Sequence, residues 1–134
     1  MNNQEILNRI LNSDRVFGKL CQEAENSYEN ENYFAAIACL FVASEQIIKY
    51  SLDKNSGNYF QSLTEAKKKE IIGEVEFTIL DDMRGYRNAM FHENNYSSGF
   101  ESNGKYFPFD EDETKKVIYE TFSQDIFGII EKII

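Results

Sequence analysis

The sequence predicts an all-α protein, a four- to five-helix bundle in a single domain (residues 1–134), with a small β-hairpin between the last two helices. Three observations carry that expectation. Apolar residues recur every three or four positions along most of the chain, the spacing of an amphipathic helix. The single proline, Pro108, falls between two such patterns and not inside one. Residues 93–109 are neither helical in pattern nor apolar, and they contain Asn103-Gly104, the strongest hairpin dipeptide in the chain. At 134 residues and 42% hydrophobic content, the chain fits one domain with a full core.

The first helical pattern runs from about Gln4 to Tyr28, with Ile6, Ile10, Phe17, Leu20, Ala24 and Tyr28 on its apolar side. Gly18 and "NSD" (residues 12–14) are places where it can kink. The polar stretch "ENSYENEN" (residues 25–32) turns the chain. A second helix, from near Asn32 to near Leu52, is expected to be the most buried. Its run "FAAIACLFVA" (residues 34–43) has no charge on any face, so neighbours must surround it, and Ala35, Ala36, Ala38 and Ala43 let them come close.

"DKNSGNYF" then ends the pattern. Ser62 and Glu65 have the spacing of a capping box for a third helix over "LTEAKKKEII", and Gly73 interrupts before "EVEFTILDDMRGYRNAMFH" continues. In "FESNGKYF" two aromatic-flanked arms enclose Asn103-Gly104, which predicts a type I′ hairpin, with an unstructured loop as the alternative. The last helix opens at "DEDE" (residues 110–113), acidic side chains suited to a positive helix N-terminus. It carries Ile118, Phe122, Ile126, Ile129 and Ile133 as one stripe. No repeat or long linker divides the chain.

Lys plus Arg number 14 and Asp plus Glu 23, a net charge of -9, and the pI is about 4.6. Such a chain lacks the overall basic field of most nucleic-acid binders, although a local basic cleft survives that test. Cys21 and Cys39 lie apart in helical pattern with no CxxC, and read as buried free thiols of a reducing compartment. "MNNQEILNRI" is too polar for a signal peptide, and no apolar run is expected to reach the ~20 residues of a membrane span. A cytoplasmic protein with no membrane partner is the expectation. One histidine, and no ExxH or carboxylate–histidine cluster, cannot build a di-iron bundle site, and no glycine-rich phosphate loop occurs. No metal and no cofactor are expected.

The stretch "RGYRNAMFHE" (residues 84–93) holds that histidine. In an ideal α-helix, residues five apart are rotated by about 140°, so Arg87 and His92 converge only if the helix ends near His92 or two copies meet. Arg84, Asn88 and His92 are four apart and form a polar stripe, beside a second stripe of Leu80, Met83, Arg87 and Phe91. An arginine among Leu, Met and Phe is poorly explained by solubility, and suits a surface that another molecule covers. The ordinary alternatives are a C-terminal helix cation for His92, a salt-bridge role for Arg87 and a structural carboxylate for Glu45. Lys67, Lys68 and Lys69 read first as a solvated face. Tyr96, Phe100, Tyr106 and Phe107 could stack on bases, although packing the hairpin onto the bundle is the simpler role.

On these residues the chain resembles the HEPN domain family of small helical bundles. Its ribonuclease members carry Arg, usually followed by a polar residue, then His after four to six intervening residues. "RNAMFH" supplies Arg87, Asn88 and His92 in that pattern, with four residues between arginine and histidine. "NYFAAIACLFVASEQIIKYSL" is similar to the family's alanine-rich second helix, including the acidic Glu45 one turn before Lys49. The resemblance covers most of the chain, is specific at the motif, and leaves residues 93–109 as an insertion without a counterpart.

The resemblance implies a metal-independent endoribonuclease, of toxin or antiviral-defence role, whose two motifs meet at a homodimer cleft. It implies RNA as substrate, an antitoxin or regulatory protein as a further partner, and 2′,3′-cyclic phosphate products. Arg87 and His92 would be catalytic, with Asn88, Arg84 and Glu45 in support. The residue chemistry suits that role. RNA brings its own nucleophile, the 2′-hydroxyl, so an imidazole near neutral pKa and a guanidinium that holds two phosphate oxygens are sufficient. A symmetric dimer turns one histidine per chain into two. A non-catalytic dimeric interaction module, binding a protein or nucleotide, is the alternative.

Overall fold

A computed structural model describes residues 3–55, 57–92 (the side chain of His92 excepted) and 97–134. In chain order the elements are α1 (Gln4–Ser13), α2 (Arg15–Glu29), α3 (Tyr33–Ser51), α4 (Tyr59–Lys68) and α5 (Glu74–Arg87). A π-helical turn (Asn88–His92) follows directly, then β1 (Gly99–Ser102), β2 (Lys105–Pro108) and α6 (Asp112–Ile133). The protein is mostly helical with one small antiparallel hairpin.

Among the described residues six α-helices are present where four or five were expected, because the first pattern breaks completely at Asp14. Asp14 is extended (φ -149°, ψ 110°), and its side chain accepts the Phe17 N–H at 3.0 Å, capping α2. Both halves then turn their apolar faces, Leu7 and Ile10 on α1 and Phe17, Cys21 and Ala24 on α2, into one core. Gly18 permits the close crossing of the two helices: a Cβ there would overlap the Leu11 Cα and lie 2.8 Å from its Cβ.

α3 packs against α2, α4, α5 and α6. Ala36, Ile37, Leu40, Ala43, Ile47 and Ile48 are fully enclosed. The expectation that neighbours cover every side of the apolar run does not hold throughout, since Phe34 and Val42 are 44% and 49% exposed. By length and composition α3 is also apolar enough to cross a membrane, contrary to the expectation that no run is long enough. Half of it is buried within this bundle, which accounts for the composition equally well.

Two further expectations need correction. α4 starts at Tyr59, with Asn58 as its cap accepting from the Gln61 N–H at 3.1 Å. Ser62 is therefore inside the helix, donating back to the Asn58 carbonyl at 3.2 Å, and caps nothing. The reciprocal contact expected of Glu65 occurs one helix later, where Glu76 accepts from the Gly73 N–H at 2.8 Å. Both cysteines are free, but only Cys21 is buried; Cys39 is half-exposed on α3. Burial pushes the Cys21 thiol up to about 12, so it stays protonated and inert.

The hairpin forms as predicted. Phe100 pairs with Phe107, and Asn103 and Gly104 both take positive φ (52° and 78°), as a two-residue type I′ turn requires. Gly99 lies so close to Phe107 and Pro108 that a Cβ would meet the Pro108 Cα at 2.7 Å. Phe100 stacks on Phe107 at 5.0 Å and meets Tyr86 of α5 at 5.3 Å, so these aromatics seat the hairpin on the bundle. Lys67 and Lys69 are tied to Glu74 and Glu65, in keeping with a solvated face.

The Gly18 crossing sets helix propensity against packing. Alanine is the better helix former by about 1 kcal/mol, but overfilling a tight contact costs about 1–3 kcal/mol. Gly18→Ala should therefore lower the urea midpoint of unfolding; a rise would show that α1 and α2 have room to separate.

Candidate functional site

Arg87 is the last residue of α5, and its side chain turns back over α3. Its Nη1 donates to Glu45 Oε1 at 2.5 Å and its Nη2 to Asn88 Oδ1 at 3.1 Å. Glu45 Oε2 accepts from Lys49 Nζ at 2.6 Å, one turn along α3. The three charged side chains keep only 12–25% of their exposure, so their attraction is screened far less than that of a surface pair. Beneath the guanidinium lies the Tyr59 ring, 5.2 Å from Arg87 Cζ. Burial pushes the Tyr59 phenol upward, and the Arg87 charge opposes it. Arg87 Nε is buried with no partner among the described residues.

The location follows from α3. Glu45 is the first charged residue after the apolar run, so the bundle's edge begins there, and a cation can reach it from α5. Ala38, Phe41, Val42, Glu45, Arg87 and Phe91 line a shallow, mostly apolar cavity of about 260 Å³. Phe91 is held between Phe34 (4.8 Å) and Phe41 (5.4 Å). Arg87 thus lies at the rim of an exposed apolar patch, consistent with its place on a Leu–Met–Phe stripe.

The structure brings Arg87, Asn88 and Glu45 together. Arg84 takes a different direction: it bonds Asp81 at 2.9 Å and stacks over Phe60 with Cζ 4.7 Å from the ring centre. The expected stripe of Arg84, Asn88 and His92 assumed α-helical winding to the end. Winding changes at Asn88, where α5 passes into the π-turn that ends with the backbone of His92. In a π-helix the hydrogen bond spans five residues, so positions five apart lie closer in angle than in an α-helix, and such turns concentrate at functional sites. Arg87 and His92 are five apart. The side chain of His92, and all of Tyr96, lie outside the described residues. Sequence reasoning missed Tyr59; its one signal is the "YF" pair opening α4, whose two rings lie under Arg87 and Arg84.

Among the described residues no group of three or more His, Cys, Asp or Glu is placed to hold a metal ion. No protein-family model, curated protein or solved structure matches the chain.

Glu45 is the residue on which this cluster depends. Glu45→Gln keeps the shape but leaves the Arg87 and Lys49 charges without a counter-ion. Because the pair is only partly buried, the loss should be about 1–3 kcal/mol. Thermal denaturation at neutral pH measures it, and a variant as stable as the wild type would mean that solvent already screens the pair.

Proposed function

We propose that the chain is a HEPN-like, metal-independent endoribonuclease acting in the cytoplasm, with Arg87 and His92 as its catalytic pair at a homodimer cleft. The observation that supports this reading is the π-turn at Asn88–His92, whose wider winding narrows the angle that an α-helix would leave between the two motif positions. The exposed apolar patch of Phe34, Val42 and Phe91 beside Arg87 supplies a face for the second copy.

In this mechanism Arg87 holds two phosphate oxygens and stabilises the charge that builds on the pentacoordinate phosphorus. The 2′-hydroxyl attacks the adjacent phosphorus; one His92 removes its proton, and the partner's His92 returns a proton to the departing 5′-oxygen. Asn88 keeps the guanidinium in place through its 3.1 Å bond, and Glu45 anchors it from α3. Arg84, bound to Asp81, contributes to the positive edge of the cleft and not to the reacting centre. An antitoxin or regulatory protein would act by covering the same patch, in a toxin or antiviral-defence setting.

One observation favours a second reading. Arg87 is already engaged by Glu45 and Asn88, and the patch beside it is apolar, which suits a dimeric module that binds a partner without catalysis.

The two readings separate on variants. His92→Ala should lose most RNA cleavage, since general acid–base help is worth about 10²–10⁴-fold. Arg87→Lys should be severely impaired, because a point-charge ammonium cannot replace a two-pronged donor. Both should stay folded and sediment as dimers at micromolar concentration. If they cleave like the wild type, or if the wild type is a dimer with no cleavage to lose, the interaction module is the better account; a monomeric wild type would count against both.

A further inference from the structure

A second polar site lies at the opposite kind of position, inside the bundle where α2 and α6 meet the start of α1. Asn3, Glu25, Tyr28, Tyr119, Glu120 and Ser123 line a cavity of about 280 Å³. Glu25 is only 6% exposed, yet among the described residues no cation faces it. Its Oε1 accepts from the Tyr119 hydroxyl at 2.7 Å and from Asn3 Nδ2 at 3.2 Å, and Asn3 Nδ2 also reaches Ser123 Oγ at 3.3 Å. A carboxylate can only accept, so the Asn3 amide must turn its NH₂ toward Glu25. That fixes which amide atom is Oδ1, and it is buried with no donor among the described residues, in a residue only 5% exposed. Glu120, at the mouth, accepts from the Tyr28 hydroxyl.

Among the described residues, the hydrogen-bonding capacity left in this cavity is therefore acceptor capacity, and the charge left is negative. A buried carboxylate without a counter-charge and an amide oxygen without a donor are both costly, and one ligand that brings positive charge and several N–H groups satisfies both. We propose that this cavity binds a small aliphatic primary amine in its ammonium form. The three N–H donors match Glu25, Asn3 Oδ1 and Ser123 Oγ. Tyr28 and Tyr119, stacked at 4.6 Å and 15°, form the aromatic part of the cavity wall. A divalent metal fits poorly: it wants about six or more oxygens at 2.0–2.6 Å, and the described residues place no group of three acidic, His or Cys ligands together. The proposal rests on no part of the ribonuclease reading, and either can fail alone.

The test is calorimetric titration of the full chain at neutral pH with n-butylamine, putrescine, Nα-acetyl-lysinamide, n-butanol and magnesium chloride. The protein has eight tyrosines and no tryptophan, so tyrosine fluorescence gives a second readout. The amines should bind saturably, and neutral butanol should not. Glu25→Gln should weaken amine binding about ten- to a hundredfold, as the loss of a charge-assisted bond implies. Glu120→Gln, exposed and unable to disturb the core, should weaken it less, and keeps the test valid if the Glu25 variant fails to fold. Tighter binding of the diamine than of the lysinamide would identify a free amine as the source, and the reverse a protein lysine; both retain the site. No saturable amine binding at millimolar concentration, equal binding of butanol or magnesium, or unchanged affinity in both variants would overturn the proposal.

Discussion

Ten consecutive residues of α3, Phe34 to Ala43, carry no charge, and the remaining elements are arranged by the need to cover them. α2, α4, α5 and α6 each present an apolar face to this helix, and its alanines let them approach. Cover is incomplete on one side, where Phe34 and Val42 remain open beside Phe91. The same helix supplies Glu45 immediately beyond the run, and that carboxylate draws Arg87 across from the end of α5. The apolar patch and the polar cluster are thus adjacent because one helix provides both.

Legibility in the sequence followed the range of the interactions. The hairpin was readable because two residues, Asn103 and Gly104, specify their own backbone conformation. The buried helix was readable because the absence of charge over ten positions has one physical meaning. The break at Asp14 was marked only as a kink, since continuous apolar spacing runs through it; what ends α1 is a side-chain cap onto Phe17, a choice settled by packing. The start of α4 was misplaced because Ser62 and Asn58 both suit a cap, and the aromatic Tyr59 must be inside the helix to reach the core. In the site, an arginine on an apolar stripe was visible, and so was the acidic Glu45. The π-turn was not, because no local spacing marks the point at which α-helical hydrogen bonds lengthen.

Two glutamates show how context divides the same side chain. Glu45 lies at the bundle edge between two cations, and its charge is matched. Glu25 lies deeper and, among the described residues, is served only by neutral donors and shares its cavity with an amide oxygen that has no donor. In the sequence Glu25 was one acid in a polar turn, and nothing there distinguished it from its neighbours. Its partner Tyr119 stands 94 positions further along the chain, so no local pattern links the two.

In the proposed reaction Arg87 and His92 cleave RNA by way of its own 2′-hydroxyl. The chemical identity of the cleaved ends, determined by mass spectrometry after incubation with RNA in excess EDTA, tests it most directly. The account predicts cleavage undiminished by the chelator, with 2′,3′-cyclic phosphate on one fragment and a 5′-hydroxyl on the other. Fragments ending in 3′-hydroxyl and 5′-phosphate, or cleavage that stops in EDTA and returns with magnesium, would contradict it.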